Sequence, residues 1–320
     1  MQAFLFLPCG LVLSVGLPYS NGMPSLSTFM QILKWADWDS PPEQMNCAMP
    51  FGEILQTIAQ LLPVLDAAPE RMDLISPDQA KDLLDSAIRL YILAPSIVNV
   101  LLNYKICVEH GLPLHPTVYY ELKEARKYRI SHSLGEIQRA NELFWKSIDV
   151  ARACCRLDQR ACQDLANFAS ELPFSVKSFI YTAVQDKYTW IGSQPSLLLA
   201  LADKIRTSYT PHLVVAAAHG SIMPALVLAE LLQVPLYFVR FSMFKRHDEE
   251  PIVSLSDQAW LFDFRDKEVI LYDEDVAGGR TLESFLKRLS PLFRQAKTAC
   301  SIRHAGSSIQ PDFFGKIWWE

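Results

Sequence analysis

Two rhythms of apolar residues divide the chain. From about residue 45 to 190, apolar positions recur every three or four residues, the spacing of one buried helix face. After about residue 191 they gather into short unbroken runs separated by further helical patterns. The stretch "ISPDQAKDLLDSAIRLYIL" shows the first rhythm most clearly: Ser76 can cap, Pro77 suits the first helical position, and Gln79 stands where a capping box places Glu or Gln. Apolar residues follow at Ala80, Leu83, Leu84, Ala87, Ile88, Leu90 and Tyr91. The same reading predicts helices over 51–66, 117–130, 134–157 and 160–170, and so an all-helical region.

The second rhythm predicts a helix over 195–206, a buried strand over 212–218, a helix over 223–233, and strands over 235–240 and 268–274. Alternation of apolar strands with helices argues for βαβ units and a parallel sheet covered on both faces. Ligands of such sheets gather beyond the carboxyl ends of the strands. The expected fold is therefore α/β in the C-terminal region, preceded by an all-helical domain. The divisions fall at 1–44, an apolar arm or signal; 45–190, helical; and 191–320, α/β.

Composition narrows the function without naming it. The 320 residues carry 30 Lys+Arg against 35 Asp+Glu, a net charge of −5, which gives no global basic excess for nucleic acid or an anionic membrane. The cysteines form no CxxC pair and face no His at zinc-finger spacing. Cys154, Cys155 and Cys162 read as unpaired thiols, and the odd total of 7 favours a reducing, cytoplasmic compartment. Residues 1–22 contain "FLFLPCGLVLSVG" and no charge, so they read as a packed arm, a cleaved signal, or sequence upstream of a start at Met23 or Met30. Pro8, Gly10, Gly16 and Pro18 interrupt the run, which is shorter than the ~20 residues of a stable membrane span.

Candidate chemistry sits at three strand ends. The third strand delivers "DEDVAGGRT": Asp273 and Glu274 at the rim supply acceptors for vicinal sugar hydroxyls or for a hydrated Mg²⁺. Ala277, Gly278 and Gly279 then let the backbone pack closely, so that successive N–H groups and the next helix N-terminus can cradle a phosphate, with Arg280 and Thr281 beside it. Neither GxxxxGK[ST] nor GxGxxG occurs, so sugar plus phosphate fits better than a triphosphate or a dinucleotide. A solvated turn capping the next helix is the plainer reading of this motif taken alone.

The run from Val269 to Thr281 resembles the phosphoribosyl-pyrophosphate (PRPP) signature of the type I phosphoribosyltransferase family: four apolar residues, two acids, two mostly apolar positions, and a small-residue loop ending in Gly-x-Thr. The segment "VVAAAHGSIMPALVLAELLQVPLYFVR" is similar to that family's pyrophosphate loop with its following helix and strand, and "QPDFFGKIWWE" to the segment that helps cover the base. The resemblance covers roughly 190–320. It implies that Asp273 and Glu274 are the catalytic, ribose-facing and metal-facing acids, and that Ala277 to Thr281 bind the 5′-phosphate. It also implies that Ala218, His219, Gly220 and Ser221 hold pyrophosphate, with Arg240 and the loop residues Lys245 and Arg246 as cationic contacts. Phe313, Phe314, Trp318 and Trp319 would wall the base pocket. Mg²⁺ is the implied cofactor, PRPP and a nitrogenous acceptor the partners, and a homodimer a possible assembly.

Three departures from that pattern matter. Glu274 stands where the family usually has Asp, His219 where a basic residue is frequent, and Ala277 where hypoxanthine-guanine members carry an acid–base side chain. Three readings follow: an active Mg²⁺-dependent phosphoribosyltransferase, a non-catalytic PRPP- or nucleotide-binding regulator with a helical effector region, and a helical interaction protein with a degenerate α/β domain.

Overall fold

The computed structural model describes residues 28–69, 75–118, 120–243 and 248–319. The apolar N-terminal stretch therefore lies outside the described residues, as do Lys245 and Arg246.

The helical region runs from α1 (Thr28–Ile32) through a short strand, β1 (Cys47–Pro50), into α2 (Phe51–Asp66), α3 (Pro77–Leu93), α4 (Pro95–Glu109), α5 (Leu134–Arg156), α6 (Ala161–Glu171) and α7 (Phe174–Lys177). A second short strand, β2 (Ile180–Ala183), pairs antiparallel with β1. The capping box expected before α3 is present, with Gln79 N–H donating to Ser76 Oγ at 3.3 Å and Ser76 N–H to Gln79 Oε1 at 2.9 Å. The segment Pro77–Glu109 is apolar and long enough to cross a bilayer by length and composition, yet 78% of its most apolar window is packed inside the fold.

The helix expected over 117–130 does not form. Only a 3₁₀ turn, Leu122–Arg126, interrupts an irregular path. Leu122 packs against the core, but Val118, Tyr128 and Ile130 remain exposed, so the segment buries no continuous helix face. The backbone is satisfied elsewhere, by Ile130 N–H to Gly111 O at 2.7 Å for example.

After α8 (Lys187–Gly192) and α9 (Pro195–Ser208), the chain alternates β3 (Leu213–Ala218), α10 (Ile222–Leu232), β4 (Leu236–Arg240), α11 (Leu255–Phe262), β5 (Glu268–Val276), α12 (Arg280–Leu289), β6 (Gln295–His304) and β7 (Phe313–Trp318). The five strands β3 to β7 make one parallel sheet in the order β4-β3-β5-β6-β7. This matches the α/β expectation and adds two strands that the sequence pattern did not disclose, because lysines and arginines break the apolar runs of β6 and β7.

The order places β3 between β4 and β5. The chain moves outward from β3 through α10 to β4 on one side, then returns to add β5 on the other. A crevice therefore opens outside the carboxyl ends of β3 and β5, where the winding direction reverses.

The core runs without a break from the helices into the sheet. α10 is apolar except for Glu230, which pairs with Arg152 and Arg156 of α5, and it packs against the sheet as well as α4 and α5. Phe144 of α5 meets Tyr237 of β4 edge to face at 5.7 Å. Lys105 of α4, fully buried, pairs with Glu109 at 2.6 Å and with Asp257 of α11 at 2.9 Å, and donates to Ser254 Oγ at 3.0 Å. Within α8, Trp190 stacks on Trp38 at 4.3 Å and donates its indole N–H to Asp37 O at 2.9 Å, which ties α8 to the segment before β1.

Candidate functional site

Two small-residue loops meet at the crevice. Ala218 ends β3, the Ala218–His219 peptide is cis, and Gly220 and Ser221 lead straight into α10. Beside it, β5 extends further than the sequence pattern suggested, through Val276, so that Asp273, Glu274 and Asp275 all lie on the strand. Ala277 and Gly278 are exposed; Gly279, with φ +82°, turns the chain into α12. Arg280 opens that helix and is exposed, and Thr281 is half-buried. The unsatisfied N–H groups at the start of α12 thus face the rim, an arrangement suited to a phosphate.

Ser221 joins the two loops. Its Oγ lies 3.1 Å from Asp273 Oδ1, also hydrogen-bonds Glu274 Oε2, and accepts the Glu274 backbone N–H at 3.1 Å. A hydroxyl has one hydrogen to donate, so at any moment it serves only one of the two acids. Burial pushes the Asp273 carboxyl well above its ordinary range, and the neighbouring Glu274 adds to the displacement. The Glu274 side chain lies across Gly220, where a Cβ would stand 1.7 Å from Oε1. Thr189 of α8 approaches the same oxygen at 3.5 Å.

A second cluster lies alongside, and the sequence pattern did not point to it. His304 Nε2, at the end of β6, contacts Asp275 Oδ1 at 2.9 Å. Asp275 is raised to about 6, chiefly by burial and further by Glu274, against the lowering effect of His304. Tyr188 of α8 covers His304 at 5.0 Å and meets Trp318 edge-on at 5.8 Å. The run of three acids was visible in the sequence; the partner His304 closes a strand that was not.

The aromatic residues assigned to a base pocket separate. Phe313 is buried in the main core beside Tyr209, and Phe314 packs with Val276, Leu282 and Cys300. The pleat of β7 turns both onto the faces of the sheet, so neither walls a pocket at the rim. Trp318 stands at the rim against Tyr188, and Trp319 is exposed just beyond the strand. Arg240 is 1% exposed, with Nη2 2.6 Å from Glu121 Oε2 and 3.2 Å from Asp248 Oδ1. Its charge is engaged in tying β4 to the segments on either side, so this arrangement offers it to no pyrophosphate. Among the described residues, no group of three His, Cys, Asp or Glu side chains is arranged to hold a metal, and the six described cysteines are free thiols.

Residues 198–316 match the family model of the phosphoribosyl transferase domain. Solved structures similar to the chain include a purine phosphoribosyltransferase from Pyrococcus horikoshii, with 26% identity, 40% of this chain and 86% of that one covered, and a TM-score of 0.33. A hypothetical protein from Neisseria gonorrhoeae with bound ppGpp shares 25% identity over 39% of this chain and 79% of its own, with a TM-score of 0.34. A hypoxanthine phosphoribosyltransferase from Staphylococcus aureus shares 17% over 39% and 72%, with a TM-score of 0.32. Among curated proteins no relative matches. The matched span contains both small-residue loops and nearly all of the parallel sheet, so the C-terminal region is the part of this chain that matches the phosphoribosyl transferase domain, and most of the helical region lies outside the match.

Proposed function

We propose that the chain is a Mg²⁺-dependent phosphoribosyltransferase that moves ribose 5-phosphate from PRPP to a nitrogen acceptor and releases pyrophosphate. The observation that carries this reading is the junction at Ser221, where two acids from β5 meet the loop after β3 at the reversal point of a parallel sheet. In the reaction the bond from ribose C1 to pyrophosphate oxygen breaks, a bond to the acceptor nitrogen forms, and that nitrogen loses a proton. No protein nucleophile is needed. The protein contributes positioning and electrostatics.

The parts divide the substrate by charge and polarity. Gly278, Gly279 and the start of α12 present N–H donors to the 5′-phosphate, with Thr281 adding a hydroxyl. Asp273 and Glu274 accept hydrogen bonds from the ribose diol. The loop His219–Ser221 faces the leaving pyrophosphate. Mg²⁺ suits this donor set, because two carboxylates, hard oxygen donors, are crowded together at the rim, where burial and the neighbouring Glu274 disfavour the charged Asp273 unless a cation offsets it. When bound, the cation would offset charge on the pyrophosphate. The pair would supply only part of its coordination, the remainder coming from water and phosphate. Free thiols throughout the described residues support a reducing compartment such as the cytoplasm.

A non-catalytic PRPP- or nucleotide-binding regulator is the second reading, favoured by Ala277, which offers no side chain to an acceptor, and by the Glu274 carboxylate lying on the pyrophosphate loop. One pair of assays separates the two. Purified protein is titrated calorimetrically with PRPP and Mg²⁺, and the same samples are followed for pyrophosphate release over a panel of nitrogen acceptors. Release that vanishes in Asp273→Asn/Glu274→Gln supports transfer; binding with no release from any acceptor supports the regulator; release undiminished in that double variant refutes the roles given to the two acids.

A further inference from the structure

We infer that Glu274 is a selectivity residue of the diphosphate subsite: its carboxylate lies over Gly220 and against Ser221 of the His219–Ser221 loop, so the subsite disfavours free anions and favours a diphosphate that brings a compensating cation. The inference rests on the phosphoribosyltransferase reading of this site.

The geometry is specific to this side chain. An added Cβ on Gly220 would stand 1.7 Å from Glu274 Oε1, 2.6 Å from Cδ and 3.1 Å from Oε2, so the whole carboxylate rests on the glycine face of the loop. Ser221, the next loop residue, hydrogen-bonds that carboxylate and accepts the Glu274 backbone N–H at 3.1 Å, which pins both ends of the residue to the same hydroxyl. An Asp at this position, one methylene shorter, would leave the face of Gly220 uncovered.

Charge reinforces the obstruction. Asp273 and Asp275 flank Glu274 on the same strand, and Asp186 caps α8 close enough to act on Asp275. A bare diphosphate entering the seat would meet the Glu274 carboxylate at contact distance in a half-buried setting, where like charges repel strongly. A cation bound with the diphosphate would supply the opposite charge beside the loop, and Asp273 and Glu274 are the residues that would hold it.

The test measures binding of inorganic pyrophosphate by calorimetry, in EDTA and in excess Mg²⁺, for the wild type, Glu274→Asp and Glu274→Gln. Glu274→Asp withdraws the carboxylate; Glu274→Gln is isosteric, removes the charge, and preserves the comparison if the shorter residue does not fold. In EDTA, either variant is expected to bind pyrophosphate about tenfold or more tightly than the wild type, the scale of relieving one like charge at contact distance. In Mg²⁺ the difference should shrink. If the wild type binds metal-free pyrophosphate as tightly as both variants do, Glu274 is a strut and the inference fails while the site assignment stands. If no form binds pyrophosphate or PRPP in either buffer and circular dichroism shows them folded, the phosphoribosyltransferase reading fails, and this inference with it.

Discussion

The two neighbouring glycines of the phosphate loop make opposite demands, and exchanging each for alanine tests the loop directly. Gly279 has φ +82°, a conformation that costs an L-residue about 1–2 kcal/mol. A Cβ there would stand 2.6 Å from Ile309 Cγ1 and 2.8 Å from Ile309 Cβ, far inside ordinary contact. Ile309 cannot retreat freely, because Ser307 Oγ accepts its N–H at 3.3 Å and Ser308 Oγ bonds Gly278 O at 3.1 Å, tying the 307–309 turn to the loop. Forced overpacking of this kind costs roughly 1–3 kcal/mol. Gly279→Ala is therefore expected to lose ~2–5 kcal/mol in all. At Gly278 an added Cβ meets nothing within 4 Å and φ is ordinary, so Gly278→Ala should fall within about 0.5 kcal/mol of the wild type. Urea unfolding followed by circular dichroism measures both, and PRPP titration on the same samples should show Gly279→Ala weakened beyond Gly278→Ala. Equal stability of the two variants would refute the assigned geometry of the loop.

Other outcomes follow from buried charge. Asp275 is raised from 3.8 to about 6, so its ionisation opposes folding: the penalty is absent below the unfolded value, grows through the folded value, and approaches ~3 kcal/mol at pH 8. Asp275→Asn should accordingly gain stability over the wild type as pH rises from 4 to 8 in metal-free buffer, and a difference that does not vary with pH would contradict the burial argument. Lys105→Met leaves Glu109 and Asp257 without their buried cation and should cost ~3–5 kcal/mol in urea unfolding, most of it recovered when Glu109→Gln and Asp257→Asn are added. Arg240→Met should destabilise through Glu121 and Asp248 while changing pyrophosphate affinity little in calorimetry, because its guanidinium is already engaged.

What the sequence determined by itself was local. The capping box at Ser76, the helix over 51–66, and the strands over 212–218 and 235–240 each follow from short-range periodicity and end chemistry, which act within a few residues. The acids after the third strand and the glycine turn behind them were legible for the same reason, since a parallel sheet sends its strand ends to one rim. Only the tertiary structure decided which groups face each other across that rim. Ser221 bridging Asp273 and Glu274, and Glu274 lying over Gly220, depend on β3 and β5 being neighbours, a choice of strand order that no local pattern encodes. Burial likewise sent Phe313 and Phe314 onto the sheet faces and Arg240 into an ion-pair network, because the pleat and the packing of the helices, rather than residue type, settle where a side chain points. Asp275 found His304 through the pairing of β5 with β6, the strand whose lysine and arginine hid it from an apolar reading.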